Sequence, residues 1–133
     1  MADFRVRLKT LRDGLLHFHK TLLELVKAAY ERDVAAITST GQYLKLVLED
    51  PAFQWLRELS AFIVAIDEAL AQKEPPLTEP EGERLIIQAQ ALLVPSEAGT
   101  GFARSYFELL QQEAAAVLAH RDMLQILNGL KGQ

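Results

Sequence analysis

The sequence predicts an all-α fold, namely an antiparallel four-helix bundle with one short additional helix. Four long segments place apolar residues at helical spacing, and Gly and Pro fall almost entirely between those segments or at their ends. No stretch of alternating polar and apolar residues is long enough to indicate a sheet. The length of 133 residues suits one core, so we expect a single helical domain over residues 1–133.

The first long helix is predicted from about Asp3 to Asp33. One face carries apolar residues three and four apart: Phe4, Leu8, Leu11, Leu15, Phe18, Leu22, Val26 and Ala29. The short additional helix follows a linker, begins where Ser39 and Gln42 stand at capping-box spacing, and runs through Glu49.

Three further helices have start signals of their own. Asp50 before Pro51 predicts a helix to about Gln72, because the Asp can cap the first turn and Pro fits the first helical position. Thr78 and Glu81 form a second capping box and predict a helix over about 79–93. Thr100 is expected to cap a last helix that runs from about Gly101 to Leu130.

Composition restricts the function. The net charge is -4 and the basic residues are scattered, so we expect no nucleic-acid binding, which usually needs a concentrated positive face. There is no Cys, which excludes disulfides and thiolate sites. The charged N-terminus is unlike a signal peptide, and the longest apolar run falls far short of the roughly 20 residues that span a bilayer. We therefore expect a cytoplasmic protein without membrane contact.

Several words of the sequence resemble a family of small uncharacterised bacterial proteins. They are LHFHKTLLEL, DPAFQWLRELSAFIVAIDEAL, GFARSYFELLQ and VLAH, and DPAFQWLRELS is the most specific. The resemblance covers most of the chain and implies an all-helical fold, but it supplies no catalytic residues. The family pattern has Asp-Pro where this chain has Glu113-Ala114, which leaves open whether the last helix is continuous or broken there.

Polar residues on predicted buried faces are the candidate site. The last helix has an apolar stripe of Tyr106, Leu109, Leu110, Val117, Leu124 and Leu127, and Glu113 and His120 lie near its middle. His19 and Arg12 lie beside the stripe of the first helix, and Asp67 lies at the boundary of the third. Buried charges need partners, so these side chains are expected to meet.

Antiparallel packing of the first and last helices gives an approximate registry. It predicts a polar layer of His19, Asp67 and Glu113, with Arg12 and His120 one or two turns away. Glu113 would then meet His19, and His120 would meet Arg12 or its neighbours.

Three interpretations of this layer remain open. It could be a salt-bridge and hydrogen-bond network that fixes helix pairing, the lining of a small-molecule pocket, or a metal site. Glu113 and His120 are separated by about 10 Å along a helix, so one ion is not expected to bind both. Because no Glu-x-x-His, phosphate-loop or nucleophile motif occurs, we predict no metal, no cofactor and no catalytic residue.

For function, the leading prediction is a non-enzymatic cytoplasmic bundle that acts through protein association. Phe53, Val64 and either Leu118 or Ile126 would form an apolar patch if exposed, which predicts a homodimer. An unidentified protein partner is the other form of association that the sequence allows. The alternative function is a small-molecule-binding or metal-binding bundle that uses the polar layer.

Overall fold

The computed structural model describes residues 3–131, which form seven α-helices and no β-strand. The helices are α1 (Phe4–Asp33), α2 (Thr40–Glu49), α3 (Pro51–Gln54), α4 (Arg57–Ala71), α5 (Glu79–Leu92), α6 (Gly101–Gln112) and α7 (Ala114–Leu130). The all-α prediction is therefore confirmed. None of these helices is long and apolar enough to cross a membrane.

Most helices begin where local side-chain chemistry predicts. The Ser39 hydroxyl accepts a hydrogen bond from the Gln42 amide at 3.1 Å and opens α2. The Asp50 carboxylate accepts from the Ala52 amide at 2.8 Å and opens α3. Thr78 and Glu81 form the complete capping box of α5. Thr100 occupies the N-cap position of α6, but its side chain makes no capping bond.

The predicted helix from Pro51 to Gln72 is two helices, because Trp55 and Leu56 form a turn. The Leu56 amide bonds to the Phe53 carbonyl at 3.1 Å, a tighter pattern than that of an α-helix. On one continuous helix Phe53 and Leu59 would point about 120° apart. The turn changes the angle between these two side chains, and both are buried in the core.

The prediction of one helix from Gly101 to Leu130 is wrong. Glu113 has an extended backbone (φ -125°, ψ 112°), which ends α6 and starts α7. In a continuous helix Tyr106 and His120 would be separated by about 21 Å along the axis. Their side chains instead meet at 2.5 Å, so α7 folds back beside α6.

This break changes which face of α7 is buried. The buried residues of α7 are Ala116, Met123, Leu127 and Leu130. Val117 and Leu124, which the continuous helix would bury, are 49% and 40% exposed. The extended residue at position 113 shifts the helical phase, so of the stripe predicted beyond α6 only Leu127 is buried.

Helix α1 lies at the centre and contacts α3, α4, α5 and α7. Near its start, Arg7 bonds both Glu83 of α5 and the carbonyl of Leu130 at the end of α7. Near its end, Arg32 lies 3.3 Å from Glu113, just before α7. Helices α1 and α7 therefore run in opposite directions, and the start of α5 meets the end of α7.

Candidate functional site

The five residues predicted for a polar layer do not come together. None of the five is fully buried. Arg12 and Asp67 do pair, with 3.2 Å between Nη1 and Oδ1, but at the edge of α1 and α4, where the Asp67 side chain is 50% exposed. This contact is a surface ion pair, a type that contributes about 0–1 kcal/mol to stability.

Glu113 meets Arg32 rather than His19. Its Oε1 lies 3.3 Å from Nη2 of Arg32, which also pairs with the neighbouring Asp33. The predicted Glu113–His19 contact is wrong because Glu113 is the residue between α6 and α7 and lies near the end of α1. It occupies the N-cap position of α7, but its side chain does not cap that helix.

His120 bonds Tyr106 rather than Arg12. The Tyr106 hydroxyl oxygen and His120 Nδ1 are 2.5 Å apart, with the donor set by the imidazole tautomer. Tyr106 is completely buried and makes ring contacts with Phe18 at 5.8 Å and Phe102 at 5.5 Å. Burial raises the pKa of Tyr106 and lowers the pKa of His120, so both groups are neutral at neutral pH.

His19 is the predicted residue that lies at a cavity. It is half-buried, and burial lowers its pKa. The cavity has a volume of about 230 Å³ and is bounded by α1, α2, α3 and α4. Its lining residues are His19, Leu23, Val47, Leu48, Phe53, Leu56, Arg57 and Ser60.

Two polar residues of this cavity, Arg57 and Ser60, have no motif that identifies them in the sequence. The Arg57 guanidinium donates to the Leu48 carbonyl at 3.2 Å, and the Ser60 hydroxyl donates to the Arg57 carbonyl at 3.0 Å. Their spacing of three residues places both on one side of α4, but only the packing of α1 brings His19 to them. Within residues 3–131 no three His, Asp or Glu side chains lie close enough together to hold a metal ion.

A second feature is an exposed apolar face between α5 and α7. Glu83, joined through Arg7 to the end of α7, marks the edge of α5 that faces α7. Ile87 follows Glu83 by four residues and shares this edge, and Val94 lies two residues beyond the end of α5; they are 62% and 59% exposed.

Helix α7 also has an exposed apolar edge. It lies beside His120, which bonds Tyr106 of α6. Val117 and Leu124 lie three residues before and four residues after His120, which places them on the same edge. We call Ile87, Val94, Val117 and Leu124 the α5/α7 face.

The patch predicted from Phe53, Val64 and Leu118 or Ile126 is only partly exposed. Phe53 is buried and Ile126 is half-buried, whereas Val64 and Leu118 are 52% and 54% exposed. Val64 and Leu118 do not belong to the α5/α7 face. Ile87 and Val94, which do, are seven residues apart in the sequence, and this spacing indicates a second apolar edge near the end of α5.

No protein-family model, curated protein or solved structure matches the chain. The resemblance to a family of small bacterial proteins stays a prediction.

Proposed function

We propose that the chain is a non-enzymatic cytoplasmic helical-bundle protein that acts through protein association, and that two copies join through the α5/α7 face. The observation that carries this proposal is the set of four large apolar side chains on α7, on α5 and just beyond the end of α5, each 40% to 62% exposed. A contiguous exposed apolar surface is typical of interaction sites, and the proposal takes these four side chains to form one.

The proposal includes an antiparallel four-helix arrangement, in which α1, α3 with α4, α5 with α6, and α7 are the four members and α2 is the short additional helix. Contacts of α1 support it. Arg5 bonds the Leu70 carbonyl near the end of α4, while His19 shares a cavity with Leu56, just before α4 begins. Helix α4 thus runs opposite to α1, as α7 does.

A second copy is the occupant that the geometry of this face favours. Helices α5 and α7 run in opposite directions; Val117 and Leu124 on α7 are seven residues apart, as are Ile87 on α5 and Val94 just beyond its end. A two-fold axis that lies in the interface, parallel to the two helices, places α5 of one copy on α7 of the other, so the same patch serves both subunits. Seven-residue spacing also suits knobs-into-holes packing between helices.

The size of the face sets the expected strength of the dimer. With 14 residues, α5 is about 21 Å long, and two adjacent helices are about 20 Å wide. The resulting area of about 400 Å² per copy is below the roughly 800 Å² of a standard interface. We therefore expect a dimer that dissociates on dilution.

Sedimentation equilibrium from about 10 µM to about 1 mM tests the proposal. The expected result is a monomer–dimer equilibrium that Ile87→Lys and Leu124→Lys each shift toward monomer. Leu16→Lys and Val64→Lys are matched controls, since both residues are exposed apolar residues of similar accessibility outside this face.

Two outcomes would contradict the proposal. One is a monomeric mass over the whole concentration range. The other is an equal loss of dimer in the Val64→Lys control and in Leu124→Lys. Circular dichroism of each variant establishes that the helices are retained.

A further inference from the structure

We propose that the cavity lined by His19, between α1, α2, α3 and α4, binds a short-chain aliphatic monocarboxylate. The carboxylate lies at His19, Arg57 and Ser60, and the hydrocarbon chain lies against the apolar walls. This site is separate from the α5/α7 face and does not depend on the proposed association.

The polar side of the cavity has unused hydrogen-bonding capacity. The His19 side chain makes no hydrogen bond with any residue of the described chain, although it is half-buried. Arg57 bonds one backbone carbonyl and has no carboxylate partner among residues 3–131. A guanidinium has five N–H donors and binds a carboxylate with two parallel hydrogen bonds, so most of its donors remain free for a ligand.

The remaining walls are hydrocarbon. Five apolar side chains line the cavity: Leu23, Val47, Leu48, Phe53 and Leu56. Val47 and Leu48 belong to α2, a helix without any fully buried residue. A hydrocarbon chain in this space would contact α2 and bury apolar surface of the cavity walls, which favours binding through the hydrophobic effect.

The volume limits the size of the ligand. The cavity of about 230 Å³ is small, which favours a short-chain acid. Hexanoate, with eight non-hydrogen atoms, is a suitable probe.

Charge distinguishes this cavity from two larger ones. The groove between α1 and α7, of about 480 Å³, is lined by Asp13 and Asp122. The cavity of about 320 Å³ at the end of α1 is lined by Asp33 and Glu108. Both present carboxylates, which repel an anion. The His19 cavity is lined by a guanidinium and an imidazole and has no Asp or Glu in its lining.

Titration of the ¹⁵N-labelled full chain with hexanoate, followed by amide chemical shifts, tests this proposal. We expect saturable shifts around His19, Val47 and Arg57. We also expect hexanol, which lacks the charge, and hexylamine, which reverses it, to bind at least about tenfold more weakly.

Arg57→Gln should weaken hexanoate binding at least about tenfold, because a hydrogen bond to a charged group is lost. Arg121→Gln is the matched control, since Arg121 is an exposed arginine outside the cavity. His19→Gln should also weaken binding, with the exposed His17→Gln as its control. Arg57 is exposed, so Arg57→Gln decides the question even if His19→Gln does not fold.

The proposal is overturned by any of four results. They are the absence of saturable shifts, hexanol binding as tightly as hexanoate, shifts centred on the groove between α1 and α7, and equal weakening by Arg57→Gln and Arg121→Gln. Saturable shifts at the cavity that Arg57→Gln weakens and Arg121→Gln leaves unchanged support it.

Discussion

Tyr106 is a completely buried aromatic residue whose hydroxyl has a single side-chain partner, His120, among the described residues. Tyr106→Phe keeps the ring contacts with Phe18 and Phe102 and removes only that hydrogen bond. We expect the free energy of unfolding to fall by about 1 kcal/mol, the usual net value of such a bond. Urea denaturation measures the change.

Tyr43→Phe is the control for this variant, because Tyr43 is only half-buried and its hydroxyl has no hydrogen bond within residues 3–131. Its effect should stay below about 0.5 kcal/mol. Equal effects of the two substitutions would show that the bond to His120 contributes nothing to stability.

His120 also makes stability depend on pH. Burial lowers its pKa in the folded protein below the ordinary value of 6.5, so below pH 6.5 the unfolded chain binds more protons than the folded one. The contribution of His120 to the free energy of unfolding should therefore be greatest above pH 6.5 and decrease as the pH drops toward the lowered pKa. Denaturation between about pH 7.5 and pH 5.5 measures this slope.

His120→Gln should make that slope smaller, because it removes a group whose pKa burial lowers. His19, whose pKa burial also lowers, contributes a slope of the same sign. A free energy of unfolding that rises as the pH falls through this range would contradict the assignment.

At the scale of the helices, the sequence predicts starts better than interruptions. Asp50 and Thr78 cap their helices as predicted, because a cap depends on residues only two or three positions away. The break at Glu113 has neither Gly nor Pro to mark it, and only the Asp-Pro of the resembled family at this position left a break open. It follows from the packing of α7 against α1 and α6, which apolar periodicity does not encode.

Replacement of Ala114 by Pro tests the break directly. Ala114 is the first residue of α7, where Pro is favoured, and Glu113 has the extended backbone that Pro requires of the residue before it. Ala114→Pro should therefore raise the free energy of unfolding by about 0.4–1 kcal/mol, because it restricts the unfolded chain. Thermal or urea denaturation detects this gain.

Ala119→Pro, in the middle of α7, is the control and should cost about 3 kcal/mol or more. A comparable loss in Ala114→Pro would mean that residues 101–130 form the continuous helix that periodicity predicts.

The whole molecule explains why the candidate site differs from the predicted one. The predicted registry between distant helices assumes that residues 101–130 form one continuous helix. Since α6 and α7 fold against each other, Glu113 lies near Arg32 and His120 lies beside Tyr106. The exposure of Val117 and Leu124 has the same cause, because the extended residue at position 113 changes the direction in which the side chains of α7 point. His19, one of the predicted site residues, lines a cavity. Arg57 and Ser60 are not predicted, because only the packing of α1 brings His19 to them.

Stability should also be uneven across the molecule, with α1 and α2 at its two extremes. Helix α1 buries six residues and contacts at least four other helices, whereas α2 buries none. Amides of Leu11, Leu15 and Leu22 should therefore exchange hydrogen only when the whole chain unfolds. Amides of α2 should exchange through local opening at a much smaller free energy, because few contacts are lost when this helix detaches.

Native-state hydrogen exchange at increasing guanidinium concentration separates these two processes. Exchange by global unfolding speeds up steeply with denaturant, and exchange by local opening hardly changes. Equal protection of α1 and α2, with equal denaturant dependence, would mean that α2 is part of the cooperative core. The predicted difference would instead make α2 a movable cover over the cavity that His19 lines, through which a small ligand could enter without unfolding of the bundle.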